Sequence, residues 1–302
     1  MDVLVYKAMS VSSDITTLSN ERLLNLLSMY LNDAPRAVAP EDIAALREFD
    51  ISTEEAFALT LAGLFSLDIA DNEADRTFYD AYFPHMIHLQ KREDFANDPY
   101  LQAIEFPEHA LIGNASFAWE TFAPFEGFVC DDFTTMPDGR IIPHIGFFED
   151  EYRYPTAMED GRIWMSVTPQ EINTVRPAIE AARGNVLTFG LGLGYFTFMA
   201  ARKPDVESVS VVDLNSDIIE VFTREILPQF GELASKVRVV HDDAFEFARR
   251  ELPRADFDVI YGDIWHDVGD GLDLYLAMKD LEPLAPNAHW EYWIEPTMRC
   301  YL

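Results

Sequence analysis

The sequence predicts an α/β protein: a parallel sheet flanked by helices, preceded by a helical N-terminal region and a small β region. Three observations predict it. From Gly184 onward, short apolar runs of strand length alternate with helical periods. Those runs are rich in Val and Ile rather than alternating with polar residues, as strands buried on both faces are. The first of them leads into a junction with glycine at every second position, Gly190-Leu191-Gly192-Leu193-Gly194, which is a tight turn at a strand end. The expected divisions are 1–108, a helical region; 109–168, a small β region; and 169–302, the sheet domain.

In the helical region, Ser19 and Asn20 stand where a cap would open a helix over Glu21–Leu31, with Leu23, Leu24, Leu27 and Tyr30 on one stripe. Pro40 opens a second helix, and Ser52-Thr53-Glu54-Glu55 a third. A fourth runs from Glu73 to about His88, with Pro84 near its end. From about Ala110, aromatic and β-branched runs alternate with the turn signals Pro137-Asp138-Gly139 and Glu159-Asp160-Gly161, so Ile141-Ile142, Ile145–Phe148 and Arg162–Val167 read as strand. Thr168-Pro169-Gln170-Glu171 is a helix start, and that helix is expected to reach Ala182.

Then come five strands, Val186–Phe189, Ser208–Val212, Val237–Val240, Phe257–Tyr261 and His289–Ile294. The helices between them span Tyr195–Arg202, Ser216–Ile226, Phe245–Leu252 and Leu272–Leu281.

Composition narrows the function. The formal charge is −31, with 27 acidic against 8 basic residues up to position 150 and 26 against 14 beyond it. No basic stripe exists to meet phosphates, which argues against a nucleic-acid partner; an acidic envelope suits a cationic small molecule. No apolar run is long enough for a membrane span, at about 18 residues. The first residues lack the basic and apolar regions of a secretion signal, so a cytoplasmic location is expected. Cys130 and Cys300 are too far apart in sequence to suggest a disulfide framework or a zinc cluster.

The glycine junction narrows the ligand. A dinucleotide fingerprint is G-x-G-x-x-G, but Tyr195 occupies its sixth position and the pattern reads G-x-G-x-G. Backbone N–H groups at such a turn can receive the carboxylate of an amino-acid cofactor as well as phosphate. Asp213, about 20 residues past the glycines, can accept hydrogen bonds from both ribose hydroxyls. Further strand ends read Val240-His241-Asp242-Asp243-Ala244 and Tyr261-Gly262-Asp263.

Together these motifs resemble class I S-adenosylmethionine (SAM) dependent methyltransferases, which are Rossmann-like. The glycine junction is similar to their motif I, and Asp258-Val259-Ile260-Tyr261-Gly262-Asp263 to their motif IV. The resemblance implies SAM as cofactor, with Phe189, Gly190, Gly192, Gly194, Tyr195, Asp213, Leu214 and Asp263 around it, and Asp243 and Ala244 at the adenine. It implies methyl transfer to a small-molecule acceptor.

A small β region before the sheet, and Asp263-Ile264-Trp265-His266-Asp267 after strand four, look like the layout of spermidine synthases with their Asp-Ser-Ser-Asp loop. Leu193 stands where those enzymes carry an acid, and Asp263 and Asp267 are four apart rather than three. Aminopropyl transfer is therefore the second reading, and a non-catalytic SAM-binding protein the third. The closing hairpin usual in the methyltransferase family is missing after strand five, so Trp290 or Trp293 is expected to lie under a neighbouring segment or a partner chain.

His266 and Asp263 are the candidates to take a proton from the acceptor, and Trp265 to hold it. Trp164, Met165 and Glu171 lie on the approach to the sheet. His85 and His88, three apart, would share a helical face, but no third metal ligand is suggested and no metal site is expected. Expected partners are a small-molecule acceptor, with an amine among the candidates, and a second copy of the chain. Neither nucleic acid nor membrane is expected.

Overall fold

The computed structural model describes residues 11–106, 111–113, 115–159 and 162–302. In chain order the elements are α1 (Val11–Asp33), α2 (Pro40–Arg47), α3 (Thr53–Leu64), α4 (Glu73–Met86), β1 (Ile87–Leu89), α5 (Arg92–Ala96) and α6 (Pro99–Ala103). There follow β2 (Leu111–Ile112), β3 (Ala115–Phe122), β4 (Phe128–Thr135), β5 (Ile141–Phe147), β6 (Tyr152–Glu159), β7 (Arg162–Ser166), α7 (Pro169–Thr174) and α8 (Arg176–Ala181). The rest is β8 (Gly184–Phe189), α9 (Tyr195–Ala201), β9 (Val206–Asp213), α10 (Ser216–Val221), β10 (Val237–His241), α11 (Ala244–Glu251), β11 (Val259–Gly262), α12 (Val268–Lys279), β12 (His289–Tyr292) and α13 (Glu295–Arg299). Among the described residues, no helix is long and apolar enough to cross a membrane.

The chain forms two units, each discontinuous: Met1–Lys91 with Phe122–Tyr152, and Arg92–Thr121 with Arg153–Leu302. The first packs α1 to α4 against a three-stranded sheet of order β1-β5-β4. Its core holds Leu23, Leu27, Phe57, Leu61, Phe83 and Phe147, with Phe57 stacked on Phe147 at 4.2 Å.

Two expectations fail in this unit. α1 begins at Val11, so Ser19 and Asn20 are not caps. Asn20 is buried in the helix interior, where it accepts from Tyr82 Oη at 2.8 Å and from the Ile141 N–H, and donates to the Gly139 carbonyl. The fourth helix stops at Met86, and His88 lies on β1, parallel to β5, so His85 and His88 do not share a helical face. His88 Nε2 instead meets His144 Nδ1 at 2.8 Å. The turn at Pro137-Asp138-Gly139 forms, closed by Gly139 N–H to Met136 O, whereas the one at Glu159-Asp160-Gly161 falls partly outside the described residues.

The second unit contains the parallel sheet, Rossmann-like, in the order β10-β9-β8-β11-β12. Its strands carry the valine and isoleucine runs: Val186, Leu187, Val209, Val211, Val259 and Ile260 have no measurable exposure. The register sets Val240, Val212, Phe189, Gly262 and Tyr292 in one row across the sheet. Everything just beyond that row therefore opens at the same edge, where ligands bind in parallel α/β sheets.

A second, antiparallel sheet in this unit has the order β2-β3-β6-β7. The stretch read from sequence as one small β region thus supplies strands to a sheet in each unit. The helix expected over 168–182 is two helices: Thr168 caps α7 as expected, accepting the Glu171 N–H, but Pro177 has no N–H to continue the ladder and the chain turns at Val175. The helix from Ser216 widens into a π-turn at Phe222–Ile226 before Pro228. At the β12 edge, Trp293 Nε1 donates to Thr174 Oγ1 at 2.9 Å, so α7 is the neighbour that meets it.

Candidate functional site

β8 ends at Phe189 and the chain reverses through Gly190, Gly192 and Gly194, with φ of 100°, 50° and 79°. Two of these show why the residue must be glycine. A Cβ on Gly190 would overlap the Asp263 carbonyl oxygen at the end of β11, and one on Gly194 would overlap the Phe222 ring of the π-turn. The turn is thus threaded between two neighbours, and it opens onto a cavity of about 670 Å³ at the carboxyl edge of the sheet.

The structure brings most of the expected residues to this cavity. Gly190 and Gly192 line it from the turn, Asp213 and Leu214 from the end of β9, Asp243 and Ala244 after β10, and Asp263 and His266 after β11. Phe189, Gly194 and Tyr195 are not among its lining residues. Phe189 is fully buried in the core, and Tyr195 is buried with its hydroxyl on Asp98 Oδ2 at 2.9 Å. Their contribution is to the shape of the turn.

Each carboxylate also has a local task. Asp213 accepts the N–H of Leu191 through Oδ2 at 2.9 Å and the N–H of Asn215 through Oδ1 at 2.8 Å, which ties the end of β9 to the glycine turn. Asp243 caps α11 through one oxygen, Oδ1, accepting from Phe245 and Glu246, both at 2.9 Å. A carboxylate offers about four lone-pair directions, so these bonds leave acceptor capacity at Asp243. Asp242, beside them, is paired with Arg250 at 2.6 Å, a hydrogen bond that holds it below the usual carboxylate range.

Asp263 is the perturbed group. Burial pushes its carboxyl up to about 7, the charge of Asp213 adds to the rise, and only a long contact of 3.5 Å from Tyr261 Oη opposes it. Glu171 of α7, which is buried, is also raised, first by desolvation and then by the charge of Asp263. Two acids that resist ionising together hold a proton near neutrality, as buried carboxyl pairs do.

His266 lies on the exposed side, with Nδ1 on Asp270 Oδ2 at 2.7 Å. A carboxylate on Nδ1 selects the tautomer with Nε2 as proton acceptor. Asp267 is the N-cap of α12 in a capping box with Asp270, so it serves the helix.

Sequence reasoning missed the support of the turn by α6. Tyr100 Oη donates to the Leu193 carbonyl, and Asp98, buried at the start of α6, receives Tyr195. The Asp98-Pro99 pair was readable as a helix start, but nothing in the sequence ties it to a turn some ninety residues on. The acids Asp217 and Asp242 and the residues Ser216 and Phe245 also line the cavity. The side chain of Trp164 lies outside the described residues. Met165 lines the cavity, and no group of three metal-binding side chains occurs among the described residues.

No protein-family profile matches the chain, and no curated protein matches it. Among solved structures, it is similar to a Klebsiella pneumoniae protein described as an O-methyltransferase, at 22% identity and TM-score 0.27, over 38% of this chain and 47% of that one. It is also similar to precorrin 8W decarboxylase from Methanobacterium thermoautotrophicum, at 18% identity and TM-score 0.30, over 39% of this chain and 58% of that one. The chain thus spans about half the length of each of these two structures.

Proposed function

We propose that this chain is a SAM-dependent methyltransferase acting on a small-molecule acceptor. One observation carries the reading: the glycine turn and three carboxylates, Asp213, Asp243 and Asp263, converge from four strand ends on a single cavity of about 670 Å³. That volume is within the range of sites for drug-sized ligands. The residues fit the cofactor. The turn carries no side chain of its own at positions 190, 192 and 194, and the acids suit a ligand with a cationic sulfonium. Among the described lining residues there is no Lys or Arg to oppose it.

In this reading Asp213 receives the ribose hydroxyls with Leu214 over the nucleoside, and Asp243 and Ala244 hold the adenine edge. SAM supplies an activated methyl carbon and a neutral thioether as leaving group. The protein's own work is alignment, worth about 7–11 kcal/mol when the reacting atoms are well placed. His266, oriented by Asp270, takes the acceptor's proton on Nε2, and the elevated Asp263 carboxyl is a second station for it.

A second reading, aminopropyl transfer from decarboxylated SAM, draws on the acidic lining, which suits an amine acceptor. Calorimetric titration of the purified chain with SAM and S-adenosylhomocysteine tests the binding. Absence of heat and of any melting shift would end the proposal. Chromatography of the spent nucleoside then separates the two transfers: S-adenosylhomocysteine follows methyl transfer, methylthioadenosine aminopropyl transfer.

A further inference from the structure

The hairpin before the sheet brings to the glycine turn a side chain that the motif does not require. In the β6–β7 pairing Ala157 stands opposite Met165, but Met158 stands opposite Ile163, so the backbone of Trp164 is an extra residue. A bulge of this kind re-aims the neighbouring side chain. Met165 accepts the N–H of Leu193 on its sulfur at 3.3 Å, and its side chain fills the space that a Cβ on Gly192 would need.

Three of the turn's other donors are held differently. Gly190 N–H goes to the Val212 carbonyl at 2.9 Å, Leu191 N–H to the Asp213 carboxylate at 2.9 Å, and Gly194 N–H to the Leu191 carbonyl at 2.8 Å. Of these four donors, only that of Leu193 rests on a thioether, which is a weak acceptor on a side chain with three rotatable bonds. It is the donor most easily exchanged for a better partner.

We infer that Met165 determines which adenosyl ligands the glycine turn accepts, because its thioether holds the donor that the amino-acid tail of such a ligand would use. The inference rests on the SAM reading above. A ligand carrying a carboxylate tail offers Leu193 a stronger, charge-assisted acceptor, but reaches it only when the Met165 side chain leaves. A nucleoside without the tail binds with Met165 in place. Tail-bearing and tail-less ligands are therefore separated by the one side chain that must move.

The test is calorimetry on the full chain, wild type and Met165→Ala, with S-adenosylhomocysteine and with methylthioadenosine, which lacks the amino-acid tail. The alanine variant should bind S-adenosylhomocysteine about fivefold more tightly, as expected for removing one weak hydrogen bond and its ordering, while methylthioadenosine affinity stays within about twofold. Met165→Leu keeps an apolar side chain but no sulfur acceptor, and should shift in the same direction if the alanine variant does not fold. Equal changes for both ligands, no change, or weaker S-adenosylhomocysteine binding in the folded variants overturns the inference and leaves the SAM reading standing. No heat with either ligand in any variant overturns the SAM reading and this inference together.

Discussion

Asp213 and Leu191 are joined by a hydrogen bond of 2.9 Å from the Leu191 N–H to Oδ2, so the acid at the end of β9 is part of the framework of the glycine turn. Removing it should act twice. Asp213→Ala is expected to lower the melting temperature and to weaken SAM binding at least tenfold, about 1.4 kcal/mol. Asp213→Asn keeps one acceptor oxygen and should recover part of the stability. Unchanged SAM affinity in a folded Asp213→Ala variant would rule out the ribose assignment.

Gly190 and Gly63 make opposite predictions for the same substitution. Gly190→Ala puts a Cβ into the Asp263 carbonyl oxygen at φ 100° and should cost about 3 kcal/mol or more. Gly63 is an exposed position in the last turn of α3 with nothing within 4 Å of its absent Cβ, so Gly63→Ala should stabilise by up to about 1 kcal/mol. Urea unfolding of both variants checks the pair, and a Gly190→Ala protein as stable as wild type contradicts the packing described at the turn.

The Asp263 carboxyl, raised from 3.8 to about 7, gives a signed pH effect. Between those values the unfolded chain has released this proton and the folded chain keeps it. Folding therefore binds a proton, and this group's contribution falls as pH rises from about 4 to about 7, then stays level. Asp263→Asn removes the penalty. The variant's stability relative to wild type should increase across that window, and parallel stability curves for the two proteins would sink the assignment.

His88 and His144, joined at 2.8 Å, carry the opposite sign. Burial holds both below the ordinary 6.5; His144 adds to the effect at His88, while Asp131 opposes it at both. The fold favours the neutral rings, so their contribution is complete above 6.5 and is lost as pH falls below it. His144→Gln should flatten the acid limb of a stability titration between about pH 7 and pH 5. An unaltered limb would show that the pair does not govern it.

The parallel sheet was legible because its signals are local. Val209, Val211 and Val212 announce a strand buried on both faces, and three alternating glycines announce the turn that follows β8. Asp213, Asp243 and Asp263 were readable as strand-end acids: Asp213 closes the run Val211-Val212, Asp263 follows Ile260-Tyr261-Gly262, and Asp243 stands just past Val239-Val240.

What escaped depends on distant partners. β1 is three residues long and follows a helix with no break, so only its pairing with Ile145–Phe147 makes it a strand. Asn20 reads as a cap because its partners, Tyr82 and Gly139, are far along the chain. The same holds for Tyr100 beneath Leu193. Periodicity reports which way a residue leans, not what it will meet.

The interleaving of the two units has a consequence for synthesis. The first needs Phe122–Tyr152 to complete its sheet, while Arg92–Thr121, already made, belongs to the second. On the ribosome, β3 has only the two-residue β2 beside it until β6 emerges, so one of its edges stays unpaired in the meantime. Nor can the parallel sheet be excised by cutting before Arg153: the fragment would leave behind α6, and with it the Tyr100 hydroxyl that braces Leu193.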